Sequence, residues 1–260
     1  MNLYQKVATQ RDWTQIPPKT ALGTVLRLPL RLVPKGTVLK VRAGLNQDMK
    51  WIAGSSIHSC WLGWYELDKQ VAIKPYIKPG MTVFDIGANA GFYTLAFSRL
   101  VGAQGRVWAF EPLAENVSNL IKHIRLNNLS NTTLVQAVVA GSSGIVGFDT
   151  EGKLTGAISE EEFYKVPTVA LDNLVESNAA PVPDVIKIDV EGAESMVLEG
   201  ARSLLQQKRP ILFLALHGDE ETSRCLRILR FLRYKVFFLD GTPLDVTTSR
   251  NDEEIYAVPD

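Results

Sequence analysis

Val83-Phe84-Asp85-Ile86-Gly87-Ala88-Asn89-Ala90-Gly91-Phe92-Tyr93-Thr94 decides the fold. The apolar run Thr82-Val83-Phe84 reads as a buried strand, and Phe92 to Phe97 as the start of a helix. Between them Asp85 to Gly91 makes a glycine turn. A strand, a glycine turn and a helix together form a site for a nucleotide-like ligand. Glycines let backbone approach the ligand without a Cβ clash, and the helix start offers unpaired N–H groups. Gly87 and Gly91 are four apart with no glycine between them, which is not the dinucleotide spacing. Asp85 stands at the carboxyl end of the strand. An anion there repels a diphosphate and suits an ammonium or sulfonium group.

Outward from this stretch, strands and helices alternate. Thr82 to Ile86 is followed by a helix near Ala90 to Val101, Arg106 to Phe110 by a helix from Leu113 to about Asn127, and then a strand runs from Thr132 to Val138. Phe148 and Val169-Ala170-Leu171 read as short strands in a looser stretch. Val185 to Ile188 leads to a helix near Ala193 to Gln206, and Ile211 to Leu216 to a helix from about Glu220 to Leu232. Lys235 to Phe238 and Glu254 to Val258 close the chain as strands. This alternation predicts an α/β doubly wound fold, a mostly parallel seven-stranded sheet with right-handed crossovers. The last two strands lie too close together for a crossover helix, so a hairpin at one edge is expected.

Residues 1–75 differ and are read as an N-terminal cap segment beside a ligand-binding domain of residues 76–260. The segment carries Pro17, Pro18, Pro29 and Pro34, a strand near Thr37 to Arg42, and six basic residues (Lys19, Arg27, Arg31, Lys35, Lys40, Arg42) with no acid between Trp13 and Gln47. That run reads as a solvated surface or as a docking face for an anionic substrate or a membrane surface. Trp51, His58, Trp61, Trp64 and Tyr65 then crowd together, as a small core or as the floor of a substrate pocket.

Composition bounds the function. The 260 residues suit one large domain or one with a modest attachment, and the net charge of zero argues against nucleic acid as a partner of the whole chain. No apolar run approaches the roughly 20 residues of a membrane span. Met1 to Trp13 is polar, which predicts no signal peptide and a cytoplasmic chain. Cys60 and Cys225 have no metal-ligand spacing; a reduced chain is expected, with a disulfide left open. Self-association is also left open.

Four positions carry chemistry. Glu111, in Ala109-Phe110-Glu111-Pro112, ends the second strand, where an acid accepts hydrogen bonds from ribose hydroxyls. Asp189 follows the strand Val185 to Ile188 and faces the ligand crevice. Glu191 and Glu194 favour the next helix start or join the site. His217 follows the next strand, where a neutral imidazole takes a proton from an acceptor hydroxyl or is satisfied by local backbone. No spacing among Asp189, Glu191 and His217 fixes a metal geometry, and no metal is expected. Arg224, Arg227, Arg230 and Arg233, with Leu226, Leu229 and Leu232 between them, read as an amphipathic helix with its leucines on the sheet.

Asp85-x-Gly-x-x-x-Gly resembles motif I of the S-adenosylmethionine (SAM)-dependent methyltransferases. With Arg106 to Pro112, Leu171-Asp172-Asn173-Leu174 and Ile186-Lys187-Ile188-Asp189-Val190-Glu191-Gly192-Ala193-Glu194 following in order, residues 60–260 resemble the FkbM family of those enzymes. The resemblance implies the class I methyltransferase fold, SAM as methyl donor with S-adenosylhomocysteine (SAH) as product, and O-methylation of a sugar, glycan or natural-product hydroxyl. It places Asp85, Gly87, Asn89 and Gly91 in the SAM loop and Glu111 on the ribose; Asp189 and His217, from their place at the crevice, are the candidate catalytic base or orienting groups. Many members carry a Glu two residues before the His; here that position is Ala215. Two rivals stand beside this reading: an NAD-dependent oxidoreductase, which shares the fold type and the ribose acid, and a SAM-binding protein without catalysis.

Overall fold

The computed structural model describes residues 30, 32–148, 164–244 and 254–260. Pro17, Pro18, Pro29, Lys19, Arg27 and Arg31 lie outside them.

Two short strands, β1 (Val38–Lys40) and β2 (Lys50–Ile52), pair antiparallel. Helices α1 (His58–Leu62) and α2 (Leu67–Ile73) follow. The alternating part begins with β3 (Thr82–Ile86), α3 (Phe92–Val101), β4 (Arg106–Phe110), α4 (Ala114–Leu126) and β5 (Thr132–Val135). Then come β6 (Val138–Val139), β7 (Gly144–Phe148), β8 (Tyr164–Val169) and α5 (Leu171–Glu176). The chain ends through β9 (Val185–Ile188), α6 (Glu194–Glu199), α7 (Arg202–Gln207), β10 (Ile211–Ala215), α8 (Asp219–Phe231), β11 (Tyr234–Phe238) and β12 (Glu254–Pro259).

Seven strands form the main sheet in the order β11-β12-β10-β9-β3-β4-β5. β10, β9, β3, β4 and β5 are parallel neighbours, as βαβ crossovers require. The expected hairpin closes one edge of the sheet, formed by β11 and β12. β12 inserts between β10 and β11, antiparallel to both, so the edge strand is β11. The apolar residues of β12, Ile255, Tyr256 and Ala257, are buried, which the middle of a sheet demands and an edge does not. The expected strand over Thr132 to Val138 also divides. β5 stops at Val135, and β6 joins a separate three-stranded sheet with β8 and β7. Leu171 starts a helix rather than continuing a strand. The long helix expected after β9 breaks in two at Gly200, which packs against the backbone of Ala140 where a Cβ would overlap the carbonyl oxygen.

α8 follows its 3.6-residue pattern. Cys225, Leu229 and, just beyond the helix, Leu232 are buried, while Arg224, Arg227, Arg230 and Arg233 are exposed. Both cysteines are free and buried, and burial raises the thiol of Cys60 to about 12.

The aromatic cluster of the N-terminal segment forms a core with the main domain. Val41, Leu45, Trp51, Cys60 and Trp61 share one hydrophobic cluster with Phe92, Leu95 and Leu120. His123 of α4 is the joint. It is fully buried and stacks on Trp51 with ring centroids 4.0 Å apart. Its Nδ1 donates to the carbonyl of Ala90 (2.8 Å), so its Nε2 is free to accept from the backbone N–H of Ile52 (3.0 Å). Burial holds this imidazole near pKa 4, in the neutral form that such a bonding pattern needs.

Candidate active site

A cavity of about 550 Å³ opens at the carboxyl ends of β3, β4 and β9, where open α/β sheets bind ligands. Gly87, Ala88, Asn89 and Ala90 form one wall, Glu111 to Leu113 with Asn116 a second, and Ala137 to Val139 a third. Lys187 and Asp189 to Ala193 supply a fourth, and Trp51, Ser56, Ile57, Cys60 and Tyr65 reach in from the N-terminal segment.

Of the expected site residues, Gly87, Asn89, Glu111 and Asp189 line this cavity; Asp85, Gly91 and His217 do not. Asp85 is the main correction. It is completely buried, accepts a 2.6 Å hydrogen bond from Thr94 Oγ1, and its Oδ1 lies 3.2 Å from Nζ of Lys187. A carboxylate in the sheet interior must have a partner, and Lys187 is that partner. Asp85 therefore meets an internal cation rather than a ligand. Lys187, 3 % exposed, also donates to the carbonyl of Gly87 (3.0 Å). Burial alone would discharge this amine, but the carboxylates of Asp85 and Asp189 outweigh it and hold the ammonium above the ordinary lysine value.

The glycines also act inside the protein. Gly87 has φ +74°, and a Cβ there would overlap the carbonyl oxygen of Asp189. Gly91 has φ +96°, and a Cβ there would overlap Leu120 of α4. Their freedom lets β3 close against the end of β9 and against α4.

The N–H groups of the turn are all engaged. Those of Gly87 and Ala88 donate to the carbonyl of Phe110, and that of Gly91 to Ala88. Asn89 N–H donates to Glu111 Oε2 (2.7 Å), and Ala90 N–H to Asn89 Oδ1 (2.6 Å). A diphosphate-binding turn needs such groups free. Glu111, 4 % exposed, accepts at Oε1 from Leu113 N–H (3.0 Å) and Asn116 Nδ2 (3.2 Å). Its Oε2 accepts only from Asn89 among the hydrogen bonds of the described residues, which leaves that oxygen able to take a second donor. Burial raises the Glu111 pKa above the ordinary glutamate value, against these donors.

The charged residues in the wall are Glu111, Asp189, Glu191 and Lys187. Three acids face one lysine that is already paired with Asp85. The lining is therefore anionic, through side chains other than the one that the motif suggested.

His217 stands behind the Asp189 wall. Its Nδ1 lies 2.8 Å from Oε1 of Glu194, which is fully buried, and its Nε2 lies 3.8 Å from Glu191. An ionised carboxylate only accepts, so the proton sits on Nδ1 and Nε2 carries the lone pair. Partial burial works against the charged imidazole, but Glu194, Glu191 and Asp189 prevail and raise its pKa. Glu194 thus supports His217 as well as accepting from Gly192 N–H (3.1 Å). Asp189, Glu191 and His217 each bring one ligand atom within 4.8 Å of the others, a set able to hold a divalent cation.

Asp189 sits among buried charges that local pattern did not reveal. Nζ of Lys69, from α2, lies 3.5 Å from its Oδ2, and Nζ of Lys187 lies 3.7 Å from the same atom. Burial opposes the Asp189 carboxylate, yet the two lysines and His217 hold its pKa below the ordinary aspartate value. Asp189 is therefore a fixed anion. Two other groups here have raised pKa values: His217, through its neighbouring carboxylates, and Glu254, which burial pushes up to about 7 against the pull of Lys69.

Comparison with known proteins meets this geometry. The sequence model of the methyltransferase FkbM domain matches residues 85–239, more than half of the chain. The chain belongs to that family. Among curated relatives, hexuronic acid methyltransferase AglP of Haloferax volcanii is 30% identical over 128 residues, 48% of this chain and 51% of that protein. Protein-L-isoaspartate O-methyltransferase 1 of Arabidopsis thaliana is 28% identical over 116 residues, 43% of this chain and 49% of that one. The chain spans about half the length of these curated relatives. The crystal structure of an FkbM methyltransferase from Methylobacillus flagellatus superposes with a TM-score of 0.51 at 19% identity, covering 78% of this chain and 55% of that one. The shared architecture is the class I SAM methyltransferase fold. Among the described residues no helix is long and apolar enough to cross a membrane.

Proposed function

We propose that the chain is a SAM-dependent O-methyltransferase acting on a hydroxyl of a sugar or other saccharide acceptor. The observation that carries the donor assignment is the pairing of every N–H from Gly87 to Gly91 inside the protein, beside a wall with three acids. That wall suits a sulfonium and an ammonium and sets three carboxylates against a diphosphate, which disfavours the NAD reading. The saccharide class is supported by the relative named for hexuronic acid.

Glu111 would hold the donor ribose through Oε2, with Asn89 and Gly87 shaping the turn and Ala137 to Val139 in the facing wall. Bound SAM supplies a methyl group already activated toward displacement by a hydroxyl oxygen. The protein must then position the acceptor and remove a proton. Asp189, ionised throughout the neutral range, accepts a hydrogen bond from a neighbouring hydroxyl of the acceptor and orients the sugar. His217 Nε2, with its lone pair fixed by Glu194, receives the proton of the reacting hydroxyl. The N-terminal segment closes the cavity through Trp51, Ser56, Ile57 and Tyr65 and shapes the acceptor end. Ala215 offers no side chain for proton transfer, which leaves base function to the His217–Glu194 pair. Asp85 and Gly91 are assigned to support of the loop.

Titration calorimetry with SAM, SAH and NAD tests the donor. SAM and SAH should bind and NAD should not; NAD binding, or no binding by any of the three, overturns the proposal. In the same experiment Glu111→Ala should weaken SAH by about 10- to 100-fold, the worth of a hydrogen bond to a charged group. A panel of uronic and neutral glycosides then tests the acceptor.

A further inference from the structure

We propose that Lys69, from the N-terminal segment, is a positioning residue for this site: together with Lys187 it grips Oδ2 of Asp189 and leaves Oδ1 as the oxygen offered to the acceptor. The inference rests on the methyl-transfer reading above and extends it beyond residues 85–239, because Lys69 and both of its other partners lie outside that range.

Lys69 is 2 % exposed, unusual for a lysine. Its Nζ lies 2.5 Å from Oε1 of Glu254 on β12, 2.7 Å from Oε2 of Glu66 and 3.5 Å from Oδ2 of Asp189. It also sits 5.5 Å over the ring of Tyr93, whose hydroxyl donates to the same Glu66 oxygen (3.0 Å). Lys187 sits at the same 5.5 Å from that ring and reaches the same Asp189 oxygen. The two ammonium groups and the Tyr93 ring thus make a rigid seat for one carboxylate oxygen. Glu66 and Glu254 hold Lys69, as Asp85 holds Lys187. Asp189 is faced by Lys69, Lys187 and His217, with Glu191 beside His217.

A merely structural Lys69 would tie α2 to β12 and leave the Asp189 carboxylate where Lys187 and the end of β9 put it, so the orientation of that carboxylate is the test. In a crystal structure of full-length Lys69→Met the Asp189 carboxylate should turn away from the position in which Oδ2 faces Lys187, and in Lys69→Arg it should keep that position. An Asp189 carboxylate in its wild-type orientation in folded Lys69→Met overturns the proposal. Should Lys69→Met not fold, Lys69→Gln is read in the same way, with the same outcomes. SAH calorimetry on wild-type protein separates the two ideas: absence of binding defeats the methyl-transfer reading, and the orientation of Asp189 decides the clamp.

Discussion

Lys187→Met is expected to destabilise the protein by about 3–5 kcal/mol, the range for breaking a buried ion pair by removing one partner. The substitution roughly keeps the side-chain volume and removes only the charge. Asp85 then remains completely buried with Thr94 Oγ1 as its hydrogen-bonding partner. The carbonyl of Gly87 loses its donor as well. An unpaired buried carboxylate takes up a proton or draws in water, and either distorts the end of β3. Adding Asp85→Asn should return part of the loss, because the leftover group is then neutral. Urea unfolding followed by tryptophan fluorescence measures both variants. A loss below about 1 kcal/mol in the single variant, or no recovery in the double, would mean that the pair does not stabilise the sheet as argued.

The same pair explains where sequence reading succeeded and where it stopped. The element order was legible because period and punctuation are local: Asp85 to Gly91 marked the turn, and Leu226, Leu229 and Leu232 marked the buried stripe of α8. The order of the sheet was not, since nothing local tells β12 to enter between β10 and β11. Nor does a local pattern end β5 at Val135 and hand Val138 to another sheet. At the site, Glu111 and Asp189 were legible as acids at strand ends, which crevice geometry makes into wall residues. Asp85 was placed correctly on its strand but given the wrong partner. Its cation, Lys187, lies 102 residues away in sequence and reads locally as one polar residue in an apolar strand. Lys69 and Glu254 are further examples, separated by most of the chain and joined only when β12 packs beside β10. His123 packs through contacts that no local pattern shows, with its tautomer set by Ala90 and Ile52. Glu194 was readable as a helix-start acid; its bond to His217 depends on how α6 follows β9.

His217→Ala is expected to lower methyl transfer by about 10²–10⁴-fold, the usual contribution of a positioned general base, while SAH affinity stays within about twofold. The second half follows from geometry, since His217 is not part of the cavity wall formed by Gly87, Asn89 and Glu111. A proton acceptor must be neutral before it acts. The folded pKa of His217 is raised by Glu194, Glu191 and Asp189, so activity should be low below that raised value and climb as pH passes through it. Glu194→Gln removes the carboxylate 2.8 Å from Nδ1, so the rise should begin at lower pH than in wild type. The amide can still accept from Nδ1–H, and the ring keeps its orientation. Initial rates across pH 5 to 9 with saturating SAM would show the displacement. If His217→Ala transfers methyl at the wild-type rate, or if Glu194→Gln moves the limb upward, the proton leaves by another route and Asp189 is the group to examine. If SAH affinity collapses together with turnover, His217 supports the donor site instead, through Glu194 and the adjoining Ala193, which is on the cavity wall at the start of α6.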